Sequence, residues 1–65
     1  METEYLVQLA QRLQLTVSAT TALPVVVEKF ATESNVTVMT MLRMLNGCKD
    51  LRDYAAELCY QVTTG

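Results

Sequence analysis

Histidine and tryptophan are absent from this 65-residue chain. Proline and phenylalanine occur once each, glycine and cysteine twice each. Without histidine there is no imidazole base, and two cysteines alone cannot complete a thiolate/imidazole zinc site within one chain. No glycine-rich phosphate loop and no nucleophile elbow is present. Asp50, Asp53 and Glu57 share a helical face, but in so small a domain they read as ordinary surface. The chain is expected not to be an enzyme, with no cofactor, no metal and no small-molecule substrate. Long hydrophobic runs are missing as well. The longest, "ALPVVV" at 22–27, falls far short of the roughly 20 residues of a membrane span. The start "METEYLVQ" is acidic, unlike a signal peptide. A cytoplasmic location without membrane contact is expected, with Cys48 and Cys59 as reduced, small hydrophobes.

Charge is scarce. Five basic residues (Arg12, Lys29, Arg43, Lys49, Arg52) face seven acidic ones, for a net charge of −2 and a pI near 4.8. Nucleic-acid binders usually carry a basic footprint. Here only Arg43, Lys49 and Arg52 cluster, so nonspecific affinity for DNA would be weak and easily broken by salt. Hydrophobic residues, by contrast, make up 51%. That is too apolar for a disordered tail. It also exceeds what a lone chain of this size needs, and a homo-oligomer, in the simplest case a homodimer, is expected.

What is present is helical periodicity. A single domain spanning 1–65 is expected, all-α, as a compact bundle of four short helices. The first helix covers Glu2 to Gln14, with Leu6, Leu9, Ala10 and Leu13 on one face beside Tyr5. "LTVSATTA" at 15–22 reads as a loop, because its hydroxyls compete for backbone hydrogen bonds. The second helix runs from Thr21 to Ser34, with Pro24 in its first turn and Leu23, Val26, Val27, Phe30 and Ala31 as its apolar stripe. Asn35 suits a left-handed stop. The third helix runs from Thr37 to Asn46, capped by Thr37 or Asn35, with Gly47 as terminator. The fourth runs from Asp50, as cap, to Val62, burying Leu51, Tyr54, Ala55, Leu58 and Val62, and the "TTG" tail is expected to fray. The tyrosines, Tyr5, Tyr54 and Tyr60, read as core-edge residues with wet hydroxyls.

The segment "FATESNVTVMTMLRMLNG" at 30–47 resembles the helix-turn-helix of lambda-repressor and Cro-like regulators. Phe30 and Ala31 precede three variable residues. Asn35 then takes the turn position, Val36 plugs the corner, and Thr37 caps the second helix of the pair. Met41 and Met44 occupy the places that hold that helix down. Ser34 departs from the pattern, which usually has an apolar residue there. A weaker copy, "LAQRLQLTVSATTAL" at 9–23, aligns with 30–44. Thr20 falls where an apolar residue is needed, so either the first frame is a coincidence of pattern or both are.

The resemblance implies a small transcription regulator of the phage or plasmid kind, with DNA as partner. Its reading face would comprise Thr37, Val38, Met39, Leu42, Arg43 and Asn46, with Lys49 and Arg52 near phosphates. Of the reading residues only Thr37, Arg43 and Asn46 can hydrogen-bond to base edges or phosphates. The alternative is a protein-interaction module, an inhibitor or adaptor, docking through an apolar patch of Val38, Met39 and Leu42. If those three residues are packed into a core or a dimer interface, the DNA reading loses its contact surface. Met39, Met41 and Met44 read as flexible core or contact residues rather than a soft-metal cluster.

Overall fold

A computed structural model describes residues 2–64. Four helices follow in order: α1 (Glu2–Leu13), α2 (Val17–Glu33), α3 (Val38–Gly47) and α4 (Lys49–Thr64). No strand occurs among the described residues. The α2 helix is central, its broadest contact is with α4, and every helix touches the other three. Glu2 and Glu4 sit in the first turn of α1 and Arg12 in its last, the arrangement the helix dipole favours.

The α1–α2 and α2–α3 corners share one construction. At the end of α2, Asn35 adopts φ 56°. Its N–H donates to the Thr32 carbonyl (3.2 Å) and the Val36 N–H to the Ala31 carbonyl (3.0 Å). This pair of bonds is a Schellman motif, which satisfies carbonyls that a helix end leaves open. The Thr37 hydroxyl then accepts from the Thr40 N–H at 3.1 Å, capping α3. At the end of α1, Gln14 adopts φ 54°. Its N–H donates to the Gln11 carbonyl (3.1 Å) and the Leu15 N–H to the Ala10 carbonyl (3.2 Å). The Thr16 hydroxyl accepts from the Ala19 N–H at 3.3 Å. Leu15 and Val36, one per corner, both pack partly buried against the core. The copy at 9–23 is therefore no accident of pattern; both frames fold as the same corner.

That corner overturns the expected loop at 15–22. The α2 helix begins at Val17, not Thr21, which leaves Pro24 deep in its interior rather than in its first turn. The hydroxyls that argued for a loop turn back onto their own helix. Thr20 donates to the Thr16 carbonyl at 2.8 Å and Thr21 to the Ser18 carbonyl at 2.6 Å. Burial of Ala19, Ala22 and Leu23 outweighs the weak local propensity. Pro24 cannot donate to the Thr20 carbonyl, and its ring lies at the exposed surface.

Three other expectations need correction. Gly47 does not end α3 by a left-handed turn: it is the last helical residue, its φ is not positive, and the stop is Cys48 in extended conformation. Asp50 is not the cap of α4, since the helix starts at Lys49 and the Arg52 N–H bonds back to the Cys48 carbonyl at 3.0 Å. The tail does not fray through Thr63 and Thr64. Both are helical, and Thr63 bonds to the Cys59 carbonyl at 2.8 Å. Gly65 lies outside the described residues.

The core holds Leu23, Val27, Met41, Leu42, Leu45 and Cys59 as its largest fully buried side chains, with no buried polar or charged residue among the described residues. The expected stripes of α1 and α2 face it. In α4 the buried line is Ala55 and Cys59, flanked by Leu51 and Leu58. Tyr54 and Val62 are mostly exposed instead. Tyr54 lies outside the core, stacked over Phe30 with ring centroids 5.6 Å apart.

Candidate nucleic-acid interface

The α3 helix is short, and its burial pattern fixes which side faces outward. Met41, Leu42 and Leu45 point into the core, two of them adjacent and the third on the next turn. Residues on the opposite side are exposed: Thr37, Thr40, Arg43, Met44, Asn46 and Gly47. Thr37 and Thr40 are joined by a 2.9 Å bond between hydroxyls. The resulting strip is polar, with Met44 (44% exposed) at its edge. From Ser34 to Lys49 the sequence carries Arg43 and Lys49 and not one carboxylate, so all seven acidic residues lie elsewhere.

The residues expected to read DNA divide into three groups. Thr37, Arg43 and Asn46 are each exposed; with Thr40 they follow an i, i+3 row that winds about half-way round α3. Val38 and Met39 are instead partly buried and packed against the chain's own core. Leu42 is 2% exposed, so it belongs to neither a reading face nor a docking patch. The patch of Val38, Met39 and Leu42 is thus not an open apolar surface. The physical reason is the rotation of α3, which turns its fourth and fifth residues, Met41 and Leu42, into the core. Met44, expected to hold the helix down, takes the outward place, while Met41 keeps the buried one.

Lys49 and Arg52 are engaged within the chain. Lys49 Nζ lies 2.9 Å from Asp53 Oδ2 in an exposed pair, and this bond to Asp53 raises the lysine's pKa above 10.5. Arg52 donates from its guanidinium to the Asn46 carbonyl at 2.8 Å. That carbonyl belongs to the last turn of α3, where the helix leaves acceptors unsatisfied and the dipole favours a cation. Arg52 thereby ties α4 to the end of α3. Arg43 makes no hydrogen bond or ion pair among the described residues.

Thr40 was not singled out from sequence, although it lies one turn beyond the Thr37 cap and shares its face. Both cysteines are free; Cys48 is exposed and Cys59 is buried. No group of three or more possible metal ligands forms among the described residues. No described helix is long and apolar enough to cross a membrane. Comparisons with protein-family models, curated proteins and solved structures returned no match.

Proposed function

We propose that this chain is a small helix-turn-helix DNA-binding regulator that presents α3 to the major groove. The corner by itself does not support this, because the chain builds the same corner twice. What supports it is the difference between the helices that follow. The α2 helix runs through the middle of the bundle, and its exposed side carries Glu28 and Glu33 beside Lys29. The α3 helix instead exposes Thr37, Thr40, Arg43 and Asn46 on an acid-free strip. This strip is the observation that carries the reading. Arginine pairs bidentately with guanine, and asparagine and threonine bond other base edges or phosphates.

In this reading Arg43 is the principal contact, and Lys49 reaches a phosphate only by exchanging its exposed pair with Asp53. Arg52 serves chiefly to hold α3 and α4 together. The chain acts as a binding module and not as a catalyst. The burial of Leu42 and the packing of Val38 and Met39 take three expected residues from the DNA-reading face and the whole named surface from the apolar docking alternative, so of the expected reading residues the DNA reading rests on Thr37, Arg43 and Asn46 alone.

The test is fluorescence anisotropy with a pool of short duplexes, selected and then re-measured over a salt series. Binding should strengthen at low salt with a shallow slope, because few phosphates are neutralised. Arg43→Ala should weaken the selected site by about 1–3 kcal/mol. Its folding stability should stay within about 0.5 kcal/mol of the parent, as for most surface substitutions. Absence of any binding at low salt, where electrostatic contacts are strongest, would end this reading.

A further inference from the structure

A groove of about 160 Å³ lies where α1, α2 and α3 meet. Its walls are Leu6, Pro24, Val27 and Val38, with Glu2 and Glu28 beside them. Leu6 and Val38 are partly buried, and Val27 is fully buried beneath them. Glu28 is exposed and forms no ion pair among the described residues. The adjoining surface of α2 adds Glu33, against Lys29. Apolar walls, a carboxylate margin and a volume for one side chain therefore coincide.

We infer that this groove receives the side chain of a lysine or arginine from a polypeptide partner. Such a side chain has an aliphatic stem that gains from apolar contact and a cationic head that seeks a carboxylate. The groove offers both, stem against Leu6, Pro24 and Val38, head toward Glu28 and Glu2. It is too small for a helix or an aromatic cluster, and its negative margin repels phosphates and acidic peptides. The partner is thus a basic segment, and it binds on a surface of opposite sign to the strip on α3. The inference stands independently of DNA binding.

The test uses three capped pentapeptides that differ only at the centre: lysine, norleucine or glutamate. Each is titrated into the full chain while amide resonances are followed by two-dimensional NMR. The lysine peptide should shift saturably the signals of residues 6, 27 and 38, with the norleucine peptide weaker and the glutamate peptide inert. Glu28→Gln should weaken the lysine peptide by about two- to five-fold, the worth of an exposed ion pair, and leave the norleucine peptide unchanged. Equal binding of lysine and norleucine peptides would overturn the inference, as would shifts confined to residues outside the groove or no saturable shift at millimolar peptide. Because Glu28 is exposed, the variant keeps its core, and an unchanged thermal midpoint separates lost binding from lost folding.

Discussion

Cys48 and Cys59 are eleven positions apart at the elbow and on the body of α4, about 16 Å along the helix axis. A disulfide needs Cα atoms within about 7 Å, so the two cannot pair with each other. Their environments also differ: Cys48 is exposed and Cys59 fully buried. A thiol reagent should label one equivalent rapidly and the second only when the chain unfolds; two rapid equivalents would contradict the buried position. Burial pushes the Cys59 thiol above its ordinary value of 9.0. Above that pH the unfolded thiol gives up its proton while the folded one keeps it. The folded state then binds more protons, so stability falls as pH rises. Urea unfolding from pH 7 to 10.5 should show this decline, and Cys59→Ala should flatten it. If the variant declines as steeply as the parent, the thiol is not the source. At this scale the sequence was readable where a residue's chemistry allows few options. Asn35 in the left-handed region and Thr37 as cap follow from what their side chains tolerate. Gln14 in the same left-handed region does not, since glutamine has no such preference.

Among the elements, the stripes of α1 and α2 were legible because several apolar residues recur at helical spacing. The start of α2 was hidden, since hydroxyl-rich β-branched residues favour a loop locally and only tertiary burial of Ala19 and Ala22 decides for a helix. The rotation of α3 was hidden for another reason. With Val38, Met39, Met41, Leu42, Met44 and Leu45 all apolar, more than one face could turn inward, and hydrophobicity alone does not choose. The structure chooses Met41, Leu42 and Leu45. A consequence follows for mutagenesis. Leu42→Ala should cost about 2–5 kcal/mol, as buried leucine truncations do, whereas Met44→Ala, exposed on the other side, should cost far less. Denaturant midpoints compare the two, and similar losses would mean that α3 is turned differently. Loss of ligand binding in Leu42→Ala would then report on folding and not on contact. The tie from Arg52 to the end of α3 was beyond sequence reading, because its acceptor is a backbone carbonyl six residues earlier.

For the molecule as a whole, the radius of gyration is 10.5 Å, against about 10.7 Å for a compact chain of this length. The accessible surface is 4349 Å², against about 4,200 Å² for a folded monomer of this mass. One chain therefore closes its own core. The homodimer expected from the sequence would have to join folded monomers through exposed side chains such as Val25, Met44, Tyr54 and Val62. Two copies would suit the paired half-sites that helix-turn-helix proteins read. Equilibrium sedimentation at micromolar concentration should give more than the 7.3 kDa of one chain. A mass of 7.3 kDa across that range, with and without DNA, would remove the dimer. The four-helix, all-α architecture was legible in the sequence. The reading face was legible only in part, because solvent exposure depends on how the helices rotate against one another.

The two matched corners make the connections of this bundle transplantable. The segments 11–16 (QRLQLT) and 32–37 (TESNVT) have the same length, place a left-handed residue fourth, an apolar plug fifth and a threonine cap sixth. Replacing 11–16 by TESNVT should give a chain with the parent's helical circular dichroism. Asparagine would stand where glutamine now bears the left-handed turn, a relief set against the loss of Leu13 from its partly buried place. A grafted chain that lost its helical signal would show that each corner is tailored to its own pair of helices. A folded graft would mean that the shape of the bundle resides in its helix faces, and that its bends are standard joints.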